Sequence, residues 1–166
     1  MSQAPKTLLL TLPGGGFFWE AMQLREQLAG RFELRYVTVH DFYAPDDLPF
    51  PKEQLQRIRT VTTLSRSGRW QKIKGLLGAL LDSYRVMRHS RPQVLVCVGS
   101  SMSVPLALWA RLFGIPTYFI ESITRVETLS GTGRIFRRWK LARHIYVQWP
   151  HMVQDNPGTE YVGSVL

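Results

Sequence analysis

Residues 6–28 constrain this chain more than any other stretch. The apolar segment Leu8-Leu9-Leu10-Thr11-Leu12 runs into Pro13-Gly14-Gly15-Gly16, and Trp19, Met22, Leu24, Gln27 and Leu28 then follow at the spacing of one helix side. A short buried strand, a glycine turn and a helix make the opening of a βαβ unit. Glycines reach backbone angles that other residues avoid, and without side chains they let a ligand approach the backbone. The helix start beyond them offers unpaired N–H groups and the positive end of a dipole, which suits a phosphate, pyrophosphate or carboxylate. The plain alternative is a tight turn, and the spacing is not that of the dinucleotide fingerprint.

The rest of the chain continues the alternation. Residues 33–39, Glu33 to Val39, alternate with period two and read as a second strand. Residues 40–52 carry Pro45, Asp46, Asp47, Pro49 and Pro51 and read as a long loop. Residues 53–66 suit a weak helix or a strand equally. Residues 69–90 give the clearest helix, with Trp70, Ile73, Leu77, Leu80, Tyr84 and Met87 in one stripe that Leu76 and Leu81 widen. The run Val94-Leu95-Val96-Cys97-Val98 reads as a central parallel strand covered on both faces. Gly99-Ser100-Ser101 turns the chain into a helix at 104–113, with Pro105 in its first turn and Gly114 as its stop. Strands are predicted at 116–120, 144–148 and 160–162, and a helix at 135–142. The implied fold is α/β, one open, mostly parallel sheet wrapped by helices and forming a single domain over 1–166. Ligands of such sheets sit beyond the carboxyl ends of the strands. Three loops lie at that edge: 13–17, 99–103 and 121–133.

Charge narrows the partners. The chain has 166 residues, a net charge of +9 and a single cysteine. So basic a chain favours an anionic partner, whether phosphorylated substrate, anionic membrane or nucleic acid. Cys97 has no disulfide partner within the chain and fits a buried core position in a reducing compartment. The segment 52–91 holds ten lysines and arginines against Glu53 and Asp82, with Trp70 beside them. Trp70, Lys72, Lys74 and Arg85 are the candidates for a face lying on an anionic membrane. The alternative is that the leucine side packs on the sheet and the charges meet water. The basic residues form no recognised nucleic-acid motif. The four histidines lack metal-ligand spacing, and there is no nucleophile elbow or phosphate-loop lysine. No stretch is long and apolar enough for a membrane span.

Candidate chemistry is sparse. Glu121 directly follows a strand at the ligand-binding edge, where a carboxylate serves as a general base or binds a hydroxyl. Taken alone, a helix cap or a salt bridge with Arg125 is the better explanation of it. Arg125 has the planar fork that clamps phosphate. Glu20 is expected in the first turn of the opening helix, favouring its dipole, with acceptor binding as its second role.

Read in order, the motifs resemble a known family. They are Gly99-Ser100-Ser101-Met102-Ser103-Val104-Pro105, Ile115-Pro116, Glu121-Ser122-Ile123-Thr124-Arg125-Val126, Leu129-Ser130-Gly131-Thr132-Gly133, Val147-Gln148-Trp149-Pro150 and Tyr161-Val162-Gly163. The series resembles asparagine-linked glycosylation protein fourteen, the membrane-recruiting subunit of the dolichol-pathway N-acetylglucosaminyltransferase. It is similar above all to the bacterial exopolysaccharide members described as glucuronosyltransferase subunits. The resemblance covers nearly the whole chain. It implies one Rossmann-like half of a GT-B glycosyltransferase, on the acceptor side and at the cytoplasmic face of a membrane. A separate small subunit would bind the UDP-sugar, with no metal or other cofactor required. Transfer would be inverting, onto a lipid-pyrophosphate-linked saccharide. On that reading Glu121 and Glu20 are the catalytic candidates, and Gly14, Gly15, Gly16, Ser100, Ser101, Ser122 and Arg125 hold the acceptor and its phosphates.

The chain departs from the family at one point. Members usually carry Gly-Gly-His in the first loop, and here Gly15 and Gly16 are followed by Phe17, Phe18 and Trp19. Phenylalanine neither takes a proton nor binds phosphate. The rival readings are a scaffold that only recruits its catalytic partner, and a self-sufficient sugar-nucleotide or nucleic-acid binder.

Overall fold

Six parallel strands set every other position in the molecule. A computed structural model describes residues 5–42, 48–60 and 69–165, without the side chains of Arg69, Gln71 and Lys72. Pro45, Asp46, Asp47, Val61, Leu64 and Arg66 lie outside the described residues, as does the side chain of Lys72. The strands are β1 (Thr7–Thr11), β2 (Glu33–Val39), β3 (Leu55–Ile58), β4 (Val94–Val98), β5 (Thr117–Ile120) and β6 (His144–Tyr146). The helices are α1 (Gly16–Leu28), α2 (Arg69–Ser90), α3 (Ser103–Leu112), α4 (Gly131–Arg138) and the short α5 (Met152–Asp155). The order across the sheet is β3-β2-β1-β4-β5-β6, and every pairing is parallel. The order reverses between β1 and β4, so the loops after these two strands diverge to opposite faces and open a crevice.

The central strands follow from their sequence. Leu8, Leu9 and Leu10 of β1 and Leu95, Cys97 and Val98 of β4 are all fully buried, as continuous apolar runs between two covered faces must be. One face packs Leu8, Leu10, Tyr36, Val96 and Ile120 against Phe18 and Ala21 of α1. The other packs Leu9, Val37, Cys97 and Phe119 against Val86 and Met87 of α2, Leu106 and Ala110 of α3, and Phe136 of α4. The ambiguous stretch 53–66 resolves in its described part as the 3-10 turn Lys52–Gln54 followed by edge strand β3.

Several expectations need correction. The helix placed at 135–142 is α4, which starts earlier because Ser130 caps it, its hydroxyl accepting from Gly133 N–H at 2.9 Å, and ends at Arg138, before Lys140 takes the left-handed angle φ 50°. The strand expected at 144–148 ends at Tyr146, and 160–162 contributes only an isolated bridge from Glu160 to Tyr146. Of the apolar side expected for α1, Met22, Leu24 and Leu28 are half-buried against the core, but Trp19 is not. Trp19 is exposed, while Phe18, Glu20 and Ala21 face inward.

The largest correction concerns α2. Its predicted bounds hold, yet its large apolar residues point outward: Trp70 is 78% exposed, Leu77 60%, and Ile73, Leu76, Leu81 and Tyr84 are exposed as well. The buried side is Gly78, Ala79, Asp82, Ser83, Val86 and Met87. The reason is close approach. A Cβ on Gly78 would lie 2.6 Å from the Arg59 guanidinium, and Ala79 and Ser83 have no exposed surface. Asp82 accepts from Arg59 N–H at 3.2 Å and pairs with the Arg59 side chain at 3.1 Å, tying the helix to the chain leaving β3. α3 is joined to α2 by Trp109, whose indole N–H donates to Leu80 O at 2.8 Å and whose ring lies 5.0 Å from Tyr84.

Candidate functional site

The carboxyl ends of β1, β4 and β5 bring the three predicted loops together, each shaped by its own residues. After β1, Gly15 caps α1 at φ 67° without any side-chain hydrogen bond, so the first N–H groups of α1 have no side-chain acceptor. Gly15 and Gly16 face open space, whereas a Cβ on Gly14 would lie 2.9 Å from the Phe42 ring. After β4, Gly99 and Ser100 both take left-handed angles, φ 48° and 50°. That conformation costs a residue such as Ser100 about 1–2 kcal/mol. Ser100 and Ser101 lead into α3, which also starts without a side-chain cap. Phe17 fills the crevice between these loops: a Cβ on Gly99 would sit 2.3 Å from its ring. The residue that stands where the family pattern has histidine therefore packs on the β4 turn.

The third loop is held by a buried polar network. Glu20 lies in the second turn of α1, not the first, and no acidic residue occupies the first turn. Its carboxylate reaches across the sheet edge, away from the helix dipole. Oε1 accepts from the Ser122 hydroxyl at 2.7 Å, and Oε2 accepts from Ile123 N–H at 3.2 Å and from Gln148 Nε2 at 2.8 Å. Glu121 has no exposed surface. Its Oε1 accepts from Ser122 N–H at 3.1 Å, and its Oε2 from Ser130 N–H at 2.9 Å and the Ser130 hydroxyl at 3.0 Å. Burial pushes the Glu121 carboxyl above its ordinary range, outweighing the Ser130 and Ser122 donors and the Arg125 charge that pull it down. Gly133 must be glycine here, since a Cβ would lie 2.3 Å from Glu121 Oε2.

From below, Trp149 donates to Ile123 O at 2.7 Å, and His151 Nε2–H donates to Val126 O. Loop 121–130 is thus bound at both ends while its outer rim stays open. Arg125 is exposed on that rim and lines a cavity of about 250 Å³ with Thr124, Val126, Glu127 and Thr128. Chemically, the edge offers the uncapped start of α1, the exposed Arg125 guanidinium and a rim of hydroxyls, whereas the first N–H groups of α3 already donate to Ser100 O and Ser101 O. The former three are donors suited to an anionic, oxygen-rich ligand.

The structure brings Gly14, Gly15, Gly16, Ser100, Ser101, Glu20, Glu121, Ser122 and Arg125 to one edge. It places Trp70, Lys74 and Arg85 on the exposed side of α2, with Trp70 and Lys74 N-terminal to Gly78, which meets Arg59 just past the carboxyl end of β3.

Comparison with known proteins decides the family. Residues 46–165 match the family described as "Oligosaccharide biosynthesis protein Alg14 like". The chain belongs to this family. The UDP-N-acetylglucosamine transferase subunit ALG14 of Rattus norvegicus is 26% identical over 180 residues, covering 96% of this chain and 82% of that protein. A pyrophosphoryl-undecaprenol N-acetylglucosamine transferase of a Sulfurihydrogenibium strain is 28% identical over 109 residues, covering 64% of this chain and 31% of its own length. Among solved structures, Acinetobacter baumannii MurG superposes with a TM-score of 0.68 at 18% identity, covering 96% of this chain and 45% of that one. The Alg14-like chain thus has the fold of one Rossmann-like half of a GT-B protein and spans about half the length of MurG. Among the described residues, no helix is long and apolar enough to cross a membrane.

Sequence reasoning missed Gln148, Ser130 and Gly133 as site residues, although all three stand in the motifs that carry the family resemblance. The Ser130-x-x-Gly133 spacing was the available signal for a helix start packed against a carboxylate. Gln148, two residues past the end of β6, gave only its position at the ligand-binding edge.

Proposed function

We propose that this Alg14-like chain is the acceptor-side subunit of a two-part, inverting glycosyltransferase. Membership of a family whose curated members are named transferase subunits makes it a glycosyltransferase subunit. The observation that carries the finer reading is the carboxyl edge: the open helix start at Gly16 and the exposed Arg125 rim fit a lipid-linked pyrophosphate. The donor would be a UDP-sugar, N-acetylglucosamine by analogy with the named relatives or glucuronic acid by the exopolysaccharide resemblance, bound mainly by a small partner subunit. The curated relatives' name, transferase subunit, supports this division.

Glu20 and Glu121 enter this reading as positioning residues. A general base touches the hydroxyl it deprotonates, and both carboxylates spend their oxygens on the loop. This burial also favours a second reading, in which the chain is a scaffold that recruits and holds without supplying a reacting group.

Attachment would be peripheral, at the cytoplasmic face, through the outer side of α2. Trp70, Ile73, Leu76, Leu77 and Leu81 form an apolar surface with the exposed cations Lys74, Arg85 and Arg88 on the same helix. An apolar patch bordered by cations suits an anionic bilayer, each near-surface cation contributing roughly 1 kcal/mol.

The test is reconstitution. The chain alone should transfer no sugar from UDP-N-acetylglucosamine or UDP-glucuronic acid to a polyprenyl-pyrophosphate saccharide, and should do so once a small UDP-sugar-binding partner subunit is added. Arg125→Ala should then raise the acceptor KM about 10-fold or more and leave the donor KM unchanged, on the scale of a lost charge-assisted contact. An unchanged acceptor KM would favour the scaffold.

A further inference from the structure

Gln148 has a second set of partners that the proposed reaction does not use. Its Nε2 donates to Glu20 Oε2 at 2.8 Å and to Glu121 O at 2.9 Å. Its Oε1 accepts from Val165 N–H at 3.0 Å and from the Ser164 hydroxyl at 3.2 Å. The side chain is buried, and both ends of its amide are engaged. One end grips the carboxyl-edge loop, and the other grips a segment 43 or 44 positions away from Glu121 in sequence.

That segment is seated by its own residues. Gly163 takes φ 122°, an angle that strains any other residue, and lets the chain turn back after Val162. Val165 then packs, half-buried, against the α1-side core.

We propose that Gln148 is a positioning residue through which the seating of Ser164 and Val165 sets the order of loop 121–130, and with it acceptor affinity. The argument rests on the asymmetry of a primary amide. With the segment seated, two donors face one end of Gln148 and two acceptors face the other, so a single orientation satisfies all four. The flipped amide would set N–H against N–H and oxygen against the Glu20 carboxylate. Without Ser164 and Val165, the Oε1 end loses both donors, and only the two Nε2 bonds to Glu20 and Glu121 oppose that flip. Each excursion breaks both Nε2 bonds and leaves Glu20 holding Ile123 and Ser122 alone. The segment therefore reinforces the amide orientation that braces the loop. The link to acceptor affinity rests on the acceptor-side role proposed above, whereas the coupling itself does not.

Hydrogen exchange on the full chain tests the coupling without any assay of transfer. Ser164→Ala combined with Val165→Pro removes both donors from a segment outside the central sheet. Exchange at the Ile123 and Ser130 amides should rise about five-fold or more, the scale of one lost hydrogen bond. Leu10 and Val96 in the sheet should not change. Gln148→Met, similar in size, should raise Ile123 exchange comparably, and the triple variant should add little beyond either. Unchanged Ile123 exchange in the segment variant, or effects that simply multiply, would overturn the coupling. At saturating partner, the segment variant should raise the acceptor KM about five-fold with kcat unchanged. A rise in exchange without a change in KM would overturn the link to acceptor affinity. Failure of the unmodified pair to transfer sugar would count against the proposed function alone, because the exchange result stands apart from it.

Discussion

Helices α1 and α2 lie on opposite faces of the same sheet and invert the ordinary rule in opposite ways. α1 buries a carboxylate, Glu20, and leaves Trp19 in solvent; α2 buries Ala79, Asp82 and Ser83 and leaves a row of leucines outside. In both, the buried acid is met by built donors, three for Glu20 and the Arg59 backbone and guanidinium for Asp82. Their remaining surfaces differ. α1 turns one carboxylate inward, beside Phe18 and Ala21, to build a site, whereas the apolar side of α2 is turned outward with nothing among the described residues to cover it. A helix pressed closely on a sheet selects small residues for its contact side. Its large residues are then free to serve another surface.

Removing the Glu20 carboxylate should have the largest effect on this contrast. Glu20→Ala takes the acceptor from the Ile123 amide and one partner each from the Ser122 hydroxyl and Gln148 Nε2, and should cost about 3 kcal/mol in urea unfolding, a lost buried partner carrying about 1–3 kcal/mol. A loss under about 0.5 kcal/mol would mean the network is not what holds the loop.

On α2 the expectation runs the other way. Leu77→Ser with Leu81→Ser would cost several kcal/mol if these residues were core. Here they should change stability by less than about 1 kcal/mol while weakening binding to vesicles containing anionic lipid about 10-fold or more, given roughly 1.5–3 kcal/mol for each fully buried leucine. Flotation and urea midpoints measured on one preparation separate the two outcomes.

The smallest effect is electrostatic and belongs to the α1 side of the comparison. Glu121 has its carboxyl raised above the ordinary 4.5, mainly by burial. Such a group binds more protons folded than unfolded in the interval between the two values. Its contribution is fully present below about pH 4.5 and is lost as pH rises through the folded value, after which it levels. Glu121→Gln cannot titrate and should flatten that part of the stability profile, read from urea midpoints between about pH 4 and about pH 8. An unchanged slope would mean that the carboxyl is solvated.

How much of this was legible in the sequence divides along the same line. The bounds of β2, α2 and β4 were readable because period two, period 3.6 and an unbroken apolar run are local signals. The three ligand-edge loops followed from strand ends alone. The side that α2 turns to the sheet was not readable, since period 3.6 marks an apolar stripe without saying what covers it. The partners of Glu20 were hidden for a different reason. Its bonds to Ser122, Ile123 and Gln148 span 102 to 128 positions, and no local pattern encodes a contact at that distance. The motif residues were visible as a series, but their shared purpose, bracing one loop, emerged only in three dimensions.

Cys97 gives the molecule a built-in clock. It is the single thiol in the chain, sits without exposed surface in β4, and burial pushes its pKa up to about 12. Neither reagent access nor thiolate exists while the central strand is paired. Alkylation of the unmodified protein therefore times the opening of β4 itself, and slow labelling reports the whole sheet. The same silence leaves every surface position open to a single introduced cysteine, so a probe placed on the outer side of α2 would speak for that face alone.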